Sequence, residues 1–118
     1  MILGIGIDLC DLNRIKELAS DRFIDRILSP DEKKLYLNIA AENTKIAFIG
    51  GRFAAKEALF KAISKGNGTA NYVDFSILNE ESGKPYLASD YFKNDEIIHI
   101  TITHTDQYAA AYVMIEKL

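Results

Sequence analysis

Hydrophobic patterning along this 118-residue chain changes from one strand to a helical region and then to strands only, and this order leaves few folds open. Residues 1–9 are apolar and rich in isoleucine, three regions with helical periodicity follow, and alternating patterns return after Gly68. The order predicts an α+β fold in which a small, mostly antiparallel sheet packs against one long helix and shorter N-terminal helices. We expect a single domain over 1–118, because domains commonly hold about 100–150 residues.

The helical regions carry recognisable start and stop signals. They are predicted at 11–27, 29–38 and 43–65. The first is expected to break near Ser20-Asp21, because either residue can cap a new helix. Ser29-Pro30-Asp31-Glu32 is typical of a capping-box start. Gly66 suits the left-handed residue that commonly follows a helix, so we expect the longest helix to stop there.

Strands are predicted after the helices, where apolar and polar residues alternate. They lie around 73–77, from 86 onwards, at 97–105 and at 108–116. Val73, Phe75 and Ile77 supply the apolar face of the first. The turn Ser82-Gly83-Lys84-Pro85 precedes the second, and the tight connection between the last two predicts a β-hairpin.

Charge and composition exclude several classes of function. The formal net charge is −3, whereas proteins that bind a phosphate backbone usually carry a basic excess, so we expect no nucleic-acid partner. The single cysteine, Cys10, cannot form an intrachain disulfide. The apolar segment 1–9 is shorter than a membrane span and lacks the basic start of a signal peptide. These features predict a cytoplasmic protein with no membrane partner.

One face of the longest predicted helix combines small residues with a carboxylate and an ammonium group. At about 100° per residue, this face holds Gly50, Phe53, Ala54, Glu57 and Lys61. Glu57 and Lys61 are four residues apart, which is also the spacing of an exposed ion pair worth about 0.2–0.5 kcal/mol. The helix alone leaves two interpretations open: a surface pair, or a site that a ligand approaches closely.

Asp8 ends the apolar N-terminal segment, and a carboxylate at a strand end is well placed for ligand chemistry. The alternative is an N-cap for the following helix, which Asp11 could equally supply. Magnesium needs only one or two protein carboxylates when substrate phosphates and water complete its octahedron. If the fold brings Asp8 beside Glu57, the two carboxylates would suffice for Mg²⁺, and Lys61 could meet a phosphate.

Three other features point more weakly to chemistry. His104 closes a predicted strand, where a hydrogen-bonded structural role is the commoner one. The loop 65–68 follows a helix instead of opening one, so a helix cap explains it better than phosphate binding. Cys10 has no acid–base partner nearby in the sequence, which favours a buried structural thiol.

The first helical region carries Arg14, Leu18, Arg22 and Arg26 at fourfold spacing, and its candidate partner-binding residues are the basic members of that row with the neighbouring Phe23. They are Arg14, Arg22, Phe23 and Arg26. A solvated helix face accounts for this pattern. Docking of an acidic helix through charge and burial accounts for it as well, so a non-catalytic module that binds such a helix is one hypothesis for the whole chain.

Four motifs are spread along nearly the whole chain in a fixed order: Gly4-Ile-Gly-Ile-Asp8, Gly51-Arg-Phe-Ala-Ala-Lys-Glu-Ala-Leu-Phe-Lys-Ala62, Gly83-Lys-Pro85 and Ile100-Thr-Ile-Thr-His-Thr105. Together they resemble the short form of the 4′-phosphopantetheinyl transferase superfamily, the holo-acyl-carrier-protein synthases. The resemblance implies that family's fold and a role in fatty acid biosynthesis. It implies transfer of 4′-phosphopantetheine from coenzyme A to a serine of apo-acyl carrier protein, releasing adenosine 3′,5′-bisphosphate.

The resemblance also implies a catalytic role for each of three residues. Asp8 and Glu57 match the magnesium ligands, and Mg²⁺ would bind the pyrophosphate of coenzyme A. Lys61 would stabilise or protonate the departing phosphate. Either Glu57 or a metal-held water would accept the serine proton. A phosphohydrolase that uses the same three residues with water as nucleophile is an alternative.

Two binding surfaces and an assembly state follow from the same resemblance. The residues implied for the nucleotide end of coenzyme A are Arg52, Lys84, Pro85 and His104. Those implied for the acidic recognition helix of the carrier protein are Arg14, Arg22, Phe23 and Arg26. A homotrimer with active sites at its subunit interfaces is also implied. Ser64 departs from the pattern, because many members have glycine there, and the larger side chain could alter substrate approach.

Overall fold

A computed structural model describes residues 1–63 and 71–118 of the chain and confirms the α+β class. The described elements are β1 (Ile2–Asp11), α1 (Leu12–Leu18), α2 (Asp21–Ile27), α3 (Pro30–Leu37), α4 (Glu42–Ala62), a 3₁₀ turn (Tyr72–Asp74), β2 (Ser76–Asn79), β3 (Pro85–Ala88), β4 (Glu96–His104) and β5 (Tyr108–Lys117). Strands β1, β5 and β4 form one antiparallel sheet in that order, and β2 pairs with β3 in a separate hairpin.

Local capping signals determine where the first three helices begin. The Asp11 carboxylate accepts a hydrogen bond from the Asn13 amide at 2.9 Å, so Asp11 caps α1 and Asp8 is not needed for that role. Ser20 caps α2 at the predicted break. The capping box predicted at Ser29 and Glu32 is present at the start of α3.

Strand β1 lies unusually close to helix α4 because two glycines face it. A Cβ atom at Gly4 would lie 2.0 Å from the Ala62 carbonyl oxygen, and one at Gly6 would lie 1.9 Å from that of Ala58. Residues 4, 6 and 8 project from the same face of the strand. The glycines therefore let the strand backbone rest on the helix, and Asp8 is the first side chain on that face that can reach the helix surface.

Two local predictions were wrong. Val73 lies in the 3₁₀ turn instead of a strand, because the Phe75 amide donates to the Tyr72 carbonyl and diverts the backbone from strand pairing. Helix α4 ends at Ala62 instead of Lys65, since the ψ angle of 89° at Ile63 leaves the helical region. The predicted stop at Gly66, the loop 65–68 and the Ser64 departure lie outside the described residues.

Helix α4 separates two hydrophobic clusters. Its small side chains, among them Ala54 and Ala58, pack with Phe75, Ile77 and Val113 between the helix and the strands. The N-terminal helices pack against the opposite side of α4 through the second cluster, which includes Ile15, Ile24, Ile27 and Ile49. Among residues 1–63 and 71–118, no helix is both long and apolar enough to cross a membrane.

Candidate active site

The Lys61 side chain hydrogen-bonds to residues of strand β1 instead of pairing with Glu57. Its Nζ atom donates to Asp8 Oδ1 at 3.2 Å and to the Ile7 carbonyl at 2.9 Å. The Asp8 side chain is 18% exposed and that of Lys61 is 56% exposed, so the ammonium group is open to a solute while its partner is largely enclosed. The interpretation of Glu57 and Lys61 as an isolated surface pair is therefore wrong, because the nearer carboxylate comes from another element.

Glu57 receives a hydrogen bond from a residue outside helix α4. The Tyr72 hydroxyl donates to Glu57 Oε1 at 2.5 Å. Burial of the phenol raises the pKa of Tyr72 to about 12, and the hydrogen bond and negative charge of Glu57 add to the effect. Asp8 raises the pKa of Tyr72 too, whereas Arg26 lowers it, so both carboxylates contribute to the negative potential at this point.

Asp8 and Glu57 line one cleft of about 370 Å³. Its walls come from the end of β1, from α1 and from α4, with Leu9, Cys10, Asp11, Arg14, Ile15, Leu18 and Phe53 as the other lining residues. The structure therefore brings Asp8, Glu57 and Lys61 together, as the sequence predicts. Arg14, predicted to contact a partner protein, opens onto the same cleft.

The donor set of this cleft suits a hard divalent cation. Asp8 and Glu57 offer carboxylate oxygens, the ligands that Mg²⁺ prefers. Within the described ranges, no cluster of three or more histidine, cysteine or acidic side chains forms a closed protein cage for a metal ion. Two carboxylates in an open cleft fit Mg²⁺, which keeps several positions for water and substrate phosphates.

A second, larger cleft of about 620 Å³ lies on the other side of α1. It is lined by Arg52, His104 and Thr105, whereas Leu12, Asn13 and Lys16 of α1 form its near wall. Helix α1 therefore lies between the two clefts, with Arg14 and Leu18 turned to the first. Arg52 and His104 line the same cleft, whereas Glu57 lines the other one.

Only part of the Arg52 guanidinium group is hydrogen-bonded within the described residues. It is 7% exposed, its Nε donates to the Ile77 carbonyl at 3.2 Å, and its guanidinium carbon lies 4.1 Å from the centre of the Phe48 ring. Its Nη2 atom is buried without a hydrogen-bond partner among the described residues. Burial lowers the pKa of Arg52, and Glu32 opposes the shift. A buried donor of this kind suits an anionic ligand.

Lys84 and Pro85 lie apart from both clefts, in the β2–β3 hairpin. The left-handed turn there requires a glycine at Gly83, whose φ angle is +90°. Lys84 is exposed, and Pro85 pairs with Asn79 at the start of β3. Neither residue is among those that line the two clefts.

The four residues predicted to bind a partner helix lie on α1 and α2. Arg14, Arg22 and Arg26 are exposed. Phe23 is half-buried, and its ring lies 6.0 Å from that of Phe53, which lines the carboxylate cleft. The basic face is thus continuous with the wall of that cleft.

Tyr72, Lys56 and Glu32 are polar residues whose tertiary contacts sequence reasoning missed. Lys56 is fully buried, and its Nζ donates to Glu32 Oε1 at 2.5 Å. It also donates to the carbonyls of Ile27 at 2.7 Å and Tyr72 at 2.9 Å. Burial lowers the pKa of Lys56, whereas the Glu32 carboxylate opposes that shift. A charged residue among the small apolar residues of α4 was the only signal of this pair.

Cys10 has the structural role that its sequence context favours. Its Sγ donates to the Gly50 carbonyl at 3.3 Å. Burial raises the pKa of this thiol to about 11, so it is protonated at neutral pH. A protonated thiol is a poor nucleophile, although Cys10 lies in the wall of the carboxylate cleft.

Comparisons with known proteins agree with the motifs. Residues 4–113 match the family model of the 4′-phosphopantetheinyl transferase superfamily. The chain is 51% identical over 116 residues to a holo-[acyl-carrier-protein] synthase of Acholeplasma laidlawii, covering 98% of both chains. It is 44% identical over 121 residues to one of Geobacillus sp., covering 100% of this chain and 99% of the relative.

A solved structure has the same fold throughout. It is a holo-(acyl-carrier-protein) synthase of Bacillus anthracis in complex with CoA (3′,5′-ADP), with a TM-score of 0.90 and 36% identity. The match covers 100% of this chain and 99% of that one. The chain therefore belongs to the 4′-phosphopantetheinyl transferase superfamily.

Proposed function

We propose that this chain transfers 4′-phosphopantetheine from coenzyme A to a serine of an apo-acyl carrier protein. The observation that carries the proposal is that Asp8 and Glu57 line one cleft and Lys61 is hydrogen-bonded to Asp8, in a chain whose full-length relatives are named holo-[acyl-carrier-protein] synthases. Mg²⁺ is the proposed cofactor, held by Asp8 and Glu57. When bound, it would neutralise charge on the pyrophosphate of coenzyme A.

The reaction is a phosphoryl transfer. The serine oxygen attacks the β-phosphorus of coenzyme A, and the bond from that phosphorus to the bridging oxygen breaks. Phosphopantetheine stays on serine, and adenosine 3′,5′-bisphosphate leaves with the electron pair. The serine proton passes to Glu57 or to a water beside it. Lys61, whose ammonium group is exposed beside Asp8, would neutralise the phosphate that departs.

The second cleft is the proposed site for the nucleotide end of coenzyme A. Arg52 contributes the buried donor already described, and His104 lies in the same cleft. Lys84 and Pro85 would approach this end from the β2–β3 hairpin. The basic face of α1 and α2 is the proposed surface for the acidic helix of the carrier protein, with Arg14 nearest to the reacting groups.

We also propose a homotrimer with active sites shared between subunits. The outer face of β1 exposes Ile5, Ile7 and Leu9, which are 58%, 65% and 65% exposed, and such apolar patches commonly mark interfaces. Helix α1 separates the carboxylate cleft from the Arg52 cleft. A coenzyme A molecule that reaches both would therefore take one cleft from each of two neighbouring subunits. Light scattering should give the mass of three chains, whereas a monomer would contradict this arrangement.

A cytoplasmic location and a single catalytic domain over 1–118 complete the proposal. The location rests on the lone cysteine, which allows no intrachain disulfide of the kind that an oxidising compartment favours. Fractionation of the source cells, followed by detection of the protein, tests it directly. Recovery of the protein outside the cytoplasmic fraction would contradict it.

Intact mass spectrometry of an apo-acyl carrier protein tests the activity itself. The carrier is incubated with this protein, coenzyme A and Mg²⁺, and each component is omitted in turn. We expect a gain of one phosphopantetheine only in the complete mixture. No gain with several carriers would contradict the proposal. Release of adenosine 3′,5′-bisphosphate without any carrier would instead indicate a phosphohydrolase.

A further inference from the structure

We propose that Tyr72 is a positioning residue for Glu57: its hydroxyl holds one carboxylate oxygen, so that the other is presented to the metal ion. The inference rests on the proposed function and adds to it a residue that lies outside the four sequence motifs. It concerns the hydroxyl group itself, since the aromatic ring has a separate packing role.

The hydrogen bond selects one of the two oxygens of Glu57. Tyr72 donates to Oε1 at 2.5 Å, which leaves Oε2 as the oxygen available to a cation. A phenol keeps its proton at neutral pH, so the hydroxyl is the donor and the carboxylate is the acceptor. Charge-assisted bonds of this length are among the stronger ones in proteins.

The Tyr72 ring is held by aromatic neighbours. It stacks on Phe53 with 5.9 Å between ring centroids and meets the edge of Phe60 at 5.2 Å. Both phenylalanines belong to α4, the helix that carries Glu57. Helix α4 therefore positions both the Tyr72 ring and the Glu57 carboxylate, so the hydroxyl has little freedom to move away from Oε1.

The backbone of Tyr72 is held as firmly as its ring. Its carbonyl accepts from Lys56 Nζ at 2.9 Å. The other contacts of that ammonium group are to Glu32 and to the Ile27 carbonyl. Lys56 precedes Glu57 in α4 and Phe60 follows it, so contacts on both sides of the carboxylate hold the 3₁₀ turn against the helix.

Such support matters because Glu57 is a long side chain in an open cleft. A glutamate has three side-chain torsions, and an unsupported carboxylate would sample several orientations at an entropic cost on binding. Groups that hydrogen-bond to metal-binding side chains typically change metal affinity by about 10–100-fold when they are removed. We expect the lower end of this range for Tyr72, because Asp8 remains as the second ligand.

The test compares Tyr72→Phe with the unaltered protein in two measurements. The first is the affinity for Mn²⁺ in the absence of any substrate, measured by electron paramagnetic resonance. The second is transfer to the carrier protein as a function of Mg²⁺ concentration. Tyr91→Phe is the matched control, since Tyr91 packs on Phe75 and Phe92 and is 43% exposed. Glu57→Gln serves as the reference for loss of a ligand.

We expect Mn²⁺ to bind about tenfold more weakly to Tyr72→Phe, while Tyr91→Phe binds it normally. The Mg²⁺ concentration for half-maximal transfer should rise by about the same factor, with kcat nearly restored at saturation. Unchanged Mn²⁺ affinity in Tyr72→Phe overturns the inference, as does a fall in kcat that added Mg²⁺ does not recover. If Glu57→Gln also binds Mn²⁺ normally, the metal site itself is wrong, which is a distinct failure.

Discussion

Replacing Lys56 with methionine is expected to destabilise the protein far more than replacing an exposed lysine. The side chains of Lys56 and Glu32 are both fully buried, and three acceptors share the ammonium group. Methionine keeps much of the volume of lysine but donates no hydrogen bond. The Glu32 carboxylate then keeps its bonds from the amides of Ser29 at 2.8 Å and Ile77 at 2.9 Å, without a compensating cation.

The size of the effect follows from that uncompensated charge. Removing one partner of a buried ion pair costs about 3–5 kcal/mol, which is a large share of the roughly 5–15 kcal/mol that stabilises a typical domain. The exposed pair between Lys33 and Asp25 provides the comparison. Because water screens that pair, Lys33→Met should cost no more than about 1 kcal/mol.

Urea denaturation at one fixed protein concentration measures both variants, since any oligomer makes stability depend on concentration. A third variant, Lys56→Met with Glu32→Gln, removes the stranded charge. We expect it to be more stable than Lys56→Met alone. A loss below about 1 kcal/mol for Lys56→Met would refute the reasoning, because the pair would then contribute no more than a surface contact.

Two further substitutions test the approach of strand to helix and the partner surface. Gly6→Ala places a Cβ atom 1.9 Å from the Ala58 carbonyl oxygen, so we expect the free energy of unfolding to fall by about 3 kcal/mol. We also expect reduced transfer, because Asp8 moves away from the helix. A thermal melt identical to that of the unaltered protein would contradict this. Arg22→Glu reverses an exposed charge on α2, and should raise KM for the carrier protein about tenfold while KM for coenzyme A stays constant. Equal changes in both constants would argue against a carrier-specific surface.

Local signals in the sequence were sufficient for much of the fold. The caps at Ser20 and Ser29 involve hydrogen bonds within three or four residues, so they can be predicted without the tertiary structure. The 3₁₀ turn escaped prediction because Val73 and Phe75 alternate as in a strand while local backbone bonds favour a turn. Phe75 and Ile77 are buried, as the alternation predicts, but Val73 in the turn is exposed.

The candidate site also combines residues that the sequence identifies with contacts that only the tertiary fold creates. Asp8 and Glu57 stand out because they belong to motifs, and Gly6 hints at the close approach that unites them. The partners of Lys61 and Glu57 come from elements 53 and 15 residues away, and no helical spacing rule reaches that far. Spacing on one helix suggested that Lys61 and Glu57 would pair with each other, whereas the fold supplies each with a different partner.

The most direct test of the central claim is transfer by Glu57→Gln. This variant keeps the size of the side chain and its ability to accept from Tyr72, but it removes the charge that Mg²⁺ requires. Intact mass of an apo-carrier protein, after incubation with coenzyme A and saturating Mg²⁺, gives the result, with Glu81→Gln as an exposed control. We predict no phosphopantetheine on the carrier with Glu57→Gln, normal modification with Glu81→Gln and similar thermal unfolding of both. Transfer by Glu57→Gln at the normal rate would contradict the account.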